Sequence, residues 1–151
     1  MLKHHLFRYV FGGAGSNPNT RNWESIYILN CDTYEWEKIC PNDPHGINIP
    51  EPRDSHSCTK LGNNMYIFGG SNGKSPLNDT FCFNFPTRTW TRVMISGEIP
   101  SPREGHSAVG LNDRYILVFG GWNGKTIFNN FYLFDTEVNK KEIRKKQKNI
   151  F

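Results

Sequence analysis

Three Phe-Gly-Gly triplets recur along the chain: Phe11-Gly12-Gly13, Phe68-Gly69-Gly70 and Phe119-Gly120-Gly121, spaced 57 and then 51 residues apart. The segment Pro52-Arg53-Asp54-Ser55-His56-Ser57 returns 50 residues later as Pro102-Arg103-Glu104-Gly105-His106-Ser107. Trp36 returns as Trp90, and SIYILN (25–30) returns as TFCFN (80–84) and FYLFD (131–135). Independent markers that keep one order and one period signal a repeat architecture, in which stacked units bury a shared core. Any fold proposed for the chain must therefore be built from units of about 50 residues.

Each unit has the same internal grammar. A short run follows Arg-x-x-His, at His56–Leu61 and His106–Leu111. A tight polar turn comes next, Gly62-Asn63-Asn64 or Asn112-Asp113-Arg114. An aromatic-rich strand then ends at the double glycine. A longer polar loop leads to a third strand carrying Tyr27, Phe81 or Tyr132. After a turn (Asp32-Thr33, Pro86-Thr87) a fourth strand carries Trp36 or Trp90, and a proline-rich loop closes the unit. Four short strands separated by turn signals predict one antiparallel sheet per unit. Outside the C-terminal tail no stretch shows sustained helical periodicity. Hydrophobic residues make up only 36% of the chain, but aromatics reach 14%. Large rings supply a core through area rather than count. The 14 glycines and 9 prolines agree with many turns.

These residues resemble the kelch repeats, the four-stranded blades of a β-propeller. The resemblance rests on the Gly doublet after strand two, the aromatic on strand three, the Trp on strand four and the Pro-x-x-Arg-x-x-His-Ser lead-in to strand one. GEIPSPREGHSAVGLNDRYILVFGGWNG (97–124) is an especially full match, and the likeness covers about residues 6–139. It implies an all-β, kelch-type propeller segment of about three four-stranded antiparallel blades. Tyr27, Phe81, Tyr132, Trp36 and Trp90 would then fill the layers between blades. Gly12, Gly13, Gly69, Gly70, Gly120 and Gly121 would serve strand ends, where positive φ and close backbone approach need glycine. Arg53 and Arg103 would tie adjacent elements by hydrogen bonds. The first unit lacks strand one, because the histidine equivalent to His56 and His106 would precede Met1. The third lacks strand four, because lysines stand where its Trp should be, near 140 or 141. The expected boundaries are a partial blade at 1–39, a complete blade with its preceding loop at 40–95, a partial blade at 96–139 and a basic, disordered tail at 140–151. Three blades are not enough to close a ring alone, since propellers close with about four to eight.

GGWNGKT (120–126) and GGSNGKS (69–75) raise the question of a phosphate-binding loop. A P-loop needs GxxxxGK[ST], with five positions from first to second glycine. Gly120 to Gly124 is four, and so is Gly69 to Gly73. The P-loop also needs a helix after the Lys-Ser/Thr pair, whose amides hold the phosphates. Here Pro76 follows Ser75 and strand three begins. Asn72-Gly73 and Asn123-Gly124 read instead as turn dipeptides. His56 and His106 recur at the repeat period, which points to packing rather than to metal or catalysis. The four cysteines, Cys31, Cys40, Cys58 and Cys82, lack metal or disulfide spacing and read as reduced. Some kelch-like propellers are copper oxidases with a Tyr–Cys cofactor, but nothing marks such a pair here. No cofactor is expected.

What remains is a scaffold that binds a protein partner through loops on one rim, as the resemblance implies. The rim candidates are Asn72, Lys74, Trp122, Asn123 and Lys125, with Trp122 either an anchor for the partner or folded back onto its own blade. Arg53 and Arg103 are further candidates, with a structural role favoured for both. Asn78-Asp79-Thr80 is a glycosylation pattern. A second copy of the chain is a candidate for completing the ring; the alternative is that the chain is a piece of a longer propeller. The segment 140–148 carries six Lys or Arg and one Glu, against a total charge of +4, so the remainder is near neutral. That basic tail supports one alternative, a nuclear or nucleic-acid-associated protein. A kelch-fold enzyme is the least favoured alternative. No run of about 18 apolar residues marks a membrane span, and the start, with Arg8 and then Gly12-Gly13, lacks a signal-peptide core. The expected setting is cytoplasmic, with the tail as a route to the nucleus, and neither membrane nor nucleic acid is an expected partner.

Overall fold

A computed structural model of the chain describes residues 6–14, 25–43, 45–95 and 97–137, with the backbone of Ile143–Arg144. Its elements are β1 (Phe7–Phe11), β2 (Ile26–Asn30), β3 (Trp36–Ile39), β4 (Ser57–Leu61), β5 (Asn64–Phe68), β6 (Thr80–Asn84), β7 (Thr89–Arg92), β8 (Ser107–Leu111), β9 (Tyr115–Phe119), β10 (Phe131–Asp135) and β11 (Ile143–Arg144). They form three antiparallel meanders in the orders β1-β2-β3, β4-β5-β6-β7 and β8-β9-β10-β11. No helix occurs among the described residues, and so none is long and apolar enough to cross a membrane. The described residues form an unclosed, all-β set of sheets, in the order that the kelch resemblance implies. Among the described residues the first sheet has no counterpart of β4. The fourth strand of the third is only the two-residue β11, paired through Leu133↔Arg144 and Phe134↔Ile143. That strand falls inside 140–151, whose other residues lie outside the described ones.

The turns explain why the strands stop where they do. In β8–β9, Asn112 and Asp113 take φ of 51° and 50°, a left-handed conformation that short polar side chains tolerate. At the end of β2, Asn30 Oδ1 accepts from the amides of Asp32 (2.9 Å) and Thr33 (3.3 Å). At the end of β6, Asn84 Oδ1 accepts from the amide and hydroxyl of Thr87 (3.1 and 3.0 Å). The same Asx device thus reverses the chain in both blades.

The core lies between sheets. Along β5 the side chains alternate, as a strand requires. Met65 and Ile67 join Phe11, Ile26, Ile39, Phe81, Phe83 and Trp90 in a buried cluster against the first sheet. Phe68 joins Leu61, Ile116 and Val118 against the third, with Tyr66 and Phe134 packed alongside. Both faces of the middle sheet are therefore covered. Phe81, Tyr132 and Trp90 fill inter-sheet layers, at 7%, 5% and 3% exposure. Tyr27 is half-buried, with Lys38 Nζ 5.9 Å from its ring centre. Trp36 departs from expectation: it is 58% exposed, because no described sheet covers the face of β3 on which it stands.

Candidate functional site: the rim loops and the joints beneath them

Each lead-in segment fixes a rim loop by a short ladder of backbone bonds. The Ser71 amide donates to Asp54 O at 2.9 Å and the Asp54 amide to Ser71 O at 3.0 Å. In the third blade the Trp122 and Glu104 amides each donate to the other residue's carbonyl at 2.9 Å. The return strand closes on the same loop, with Leu77 N–H bonded to Gly70 O and Phe128 N–H to Gly121 O, both at 2.8 Å. The loop tips are held by asparagine. Asn72 Oδ1 accepts from the amides of Lys74 and Ser75, both at 3.0 Å. Asn123 Oδ1 accepts from Lys125 at 3.0 Å and Thr126 at 2.7 Å. The Asn-Gly-Lys pattern is therefore turn chemistry, and no helix follows it to hold a phosphate.

The structure sorts the rim candidates. Lys74 and Lys125 are exposed, and Trp122 is 45% exposed. Asn72 and Asn123 are half-buried, with their carbonyl oxygens engaged in the turns. Ile127, opposite Trp122 in the rim ladder, is 83% exposed. Sequence reading missed it, since the equivalent rim position of the second blade is Pro76. Arg53 and Arg103 are buried, so neither presents its charge at the rim. Asn78 is half-buried and donates to Pro100 O at 3.4 Å.

Beneath the rim, both arginines brace the loops. Arg53 Nη1 donates to Gly69 O at 3.0 Å and to Asp79 Oδ1 at 2.6 Å, while Nη2 reaches Asp79 Oδ2 at 3.1 Å. Arg103 repeats the backbone bond, from Nη1 to Gly120 O at 2.8 Å. Its side-chain partner is Asn130 rather than an aspartate, at 3.2 Å, and its buried Nη2 has no hydrogen-bond partner. Among the described residues Arg103 forms no ion pair; its guanidinium lies 4.3 Å from the Phe128 ring centre and 5.0 Å from that of Tyr132. Asp79 is a second residue that sequence reading did not single out, although Asp79 and Asn130 both stand directly before the third strand of their unit.

The joints between blades reuse the arginine backbone. Gly13 N–H donates to Arg53 O and Gly70 N–H to Arg103 O, both at 2.9 Å. His56 lies edge-on to Phe11 with ring centres 5.8 Å apart, and His106 to Phe68 at 5.1 Å. His106 Nε2 also pairs with Ser57 Oγ at 2.9 Å, across the second joint. Burial, and next the Arg103 charge, push the His106 pKa down to about 4. Burial and the Arg53 charge lower that of His56. His106 is thus neutral when folded, while the unfolded chain takes up its proton near the ordinary pKa of about 6.5. The stability this supplies is complete above pH 6.5 and is lost as pH falls towards 4. Urea unfolding is expected to show a loss of about 2 kcal/mol between pH 7.5 and pH 5 from His106, with His56 adding in the same direction. A His106→Gln variant should flatten that dependence, and an unchanged slope would refute it.

Among the described residues no group of three or more His, Cys, Asp or Glu side chains is placed to hold a metal ion. The four cysteines are free thiols.

Sheets of this order, a double glycine at each joint and a buried Arg-x-x-His lead-in define a kelch-type propeller blade. The comparison with known proteins agrees. Residues 3–148 match the family model described as the KLHDC2/KLHL20/DRC7 Kelch-repeats domain, and the chain belongs to the kelch-repeat family. Kelch domain-containing protein 1 of Mus musculus is 33% identical over 103 residues, 68% of this chain and 25% of that protein. Kelch domain-containing protein 10 of Xenopus laevis is 34% identical over 114 residues, 75% of this chain and 27% of that protein. The N-(sulfonatooxy)prop-2-enimidothioate sulfolyase of Thlaspi arvense is 35% identical over 105 residues, 68% of this chain and 29% of that protein. The chain therefore spans less than a third of each of these relatives. Kelch repeats are generally protein-interaction modules and typically non-enzymatic, although this last relative carries an enzyme's name.

Proposed function

We propose that this chain is a non-catalytic protein-interaction module whose blades present rim loops to a protein partner, and that a further copy of the chain completes the ring carrying them. The observation that carries the rim reading is the exposed pair Trp122 and Ile127, held on opposite arms of a hydrogen-bonded rim ladder, with Lys125 between them in sequence. An exposed aromatic on a rigid loop is the kind of residue that anchors an interface, because it buries a large area at little entropic cost. The rest of the loop supplies a cation and backbone groups around it. The setting proposed is the cytoplasm.

The test is affinity capture with the intact chain, quantified by mass spectrometry, beside a Trp122→Ala, Ile127→Ser variant and an Arg88→Ala variant at an exposed turn between β6 and β7. Specific partners should fall about tenfold or more with the rim variant and stay unchanged with the turn variant, while both unfold within about 0.5 kcal/mol of the parent. Equal capture by all three would sink the rim reading.

A further inference from the structure

Among the described residues two end faces lack a covering sheet, and they correspond to the two halves of a joint the structure already contains. In the joint between the first and second sheets, Phe11 packs edge-on against Trp90, with ring centres 5.0 Å apart. Both are buried there, at 5% and 3% exposure. Phe119 holds the repeat position of Phe11, and Trp36 holds that of Trp90. These two are 52% and 58% exposed.

Their surroundings follow the same division. Strand register places Val109 beside Leu117 on the face of Phe119, where Val109 is 52% exposed. On the other end face, register places Leu29 beside Trp36 and Val10 beside Tyr27, with Val10 43% exposed. In the middle blade the positions of Val10 and Leu29 belong to Ile67 and Phe83, both fully buried. The Trp36 face also carries Arg8 and Lys38 by the same register, but the exposed apolar side chains on both faces call for a cover. A copy of this chain carries both halves, so one type of contact satisfies both faces.

We propose that Phe119 of one copy packs on Trp36 of a second copy, and that the same contact made in return closes a two-fold ring of six blades. This pairing rests on the ring-completing assembly proposed above and names its contact. A head-to-tail contact closes when the rotations sum to a full turn, and six lies within the usual propeller range of about four to eight blades. The partner surface is separate from the rim, which stays free on both copies.

The experiment is light scattering on the intact chain over a concentration series, beside Trp36→Glu and Phe119→Glu variants. Both sites are largely exposed within one copy, so each variant should keep its β-sheet circular dichroism. The parent should show twice the chain mass of 17.4 kDa, and each variant should dissociate at about tenfold or more higher concentration. Mixing the two variants should restore part of the dimer, because one joint in the mixed ring is then wholly native. Should either variant fail to fold, Phe119→Cys in one copy and Trp36→Cys in another, with Cys40→Ser and Cys58→Ser, should form a mixed disulfide on mild oxidation. A monomeric parent would overturn the assembly itself and leave the faces to blades from elsewhere. A dimer untouched by both substitutions, or no recovery on mixing, would overturn the Phe119–Trp36 pairing alone.

Discussion

Replacing Asp79 with alanine is expected to destabilise the protein by about 3–5 kcal/mol, because it strands a buried cation. Arg53 has 0% side-chain exposure and Asp79 15%, and the carboxylate binds both terminal nitrogens of the guanidinium. The repeat supplies its own control. Arg103 is equally buried, faces Asn130 where Arg53 faces Asp79, and has an unpartnered Nη2. The aromatic face of Phe128 offsets part of that deficit. Asp79→Asn should therefore cost less than Asp79→Ala, about 2 kcal/mol, since it keeps an amide oxygen for Arg53 as Asn130 does for Arg103, although Leu77 stands where the third blade has Phe128. Asn130→Asp should act in the opposite direction and stabilise by about 1–2 kcal/mol, by giving Arg103 a carboxylate. Chemical denaturation of the three variants checks all three signs. A destabilising Asn130→Asp would show that the third blade holds its arginine by a different balance.

The second large effect is steric. A methyl group on Gly69 would lie 2.7 Å from Arg103 O and 3.1 Å from both His106 Cε1 and Leu77 O, at a residue whose φ is +60°. The first and last of these are backbone oxygens of the next blade and of the rim loop, so relief would require the joint to open. Gly69→Ala is expected to cost about 2–4 kcal/mol, combining overpacking with a left-handed non-glycine residue. Gly73→Ala separates the two contributions. Its φ is +81°, but nothing lies within 4 Å of the added carbon. It should cost only about 1 kcal/mol, the backbone share. Equal losses at the two sites would mean that the double glycine serves backbone conformation alone and not the joint.

Much of the fold was legible because the repeat multiplies weak signals. One aromatic strand before a Gly-Gly says little, whereas three in register located β1, β5 and β9. The Asn-Gly-Lys loops were legible as turns because glycine spacing and Pro76 ruled out a phosphate loop. Other features depend on contacts that no periodicity encodes. Trp36 and Trp90 carry the same mark in sequence, yet one is exposed and one buried, because burial depends on a neighbouring sheet. A bracing role for Arg53 and Arg103 was the favoured sequence expectation, but the particular loop carbonyls they reach, 16 and 17 residues away, follow from no periodicity. Asp79 was hidden in a glycosylation-like triplet, and its ion pair spans 26 residues. Ile127 sits in a loop where hydrophobicity has no period to reveal its exposure.

Display of a partner site on rigid blades requires rim loops that are already formed in the free chain. Amide hydrogen exchange on the free chain tests it most directly. The amides of Ser71, Leu77, Trp122 and Phe128, which close the rim ladders, should exchange nearly as slowly as those of β5 and β9. If those four exchange at the rate of an unstructured peptide while β5 and β9 stay protected, the rim is not a rigid display and does not act as a preformed partner site.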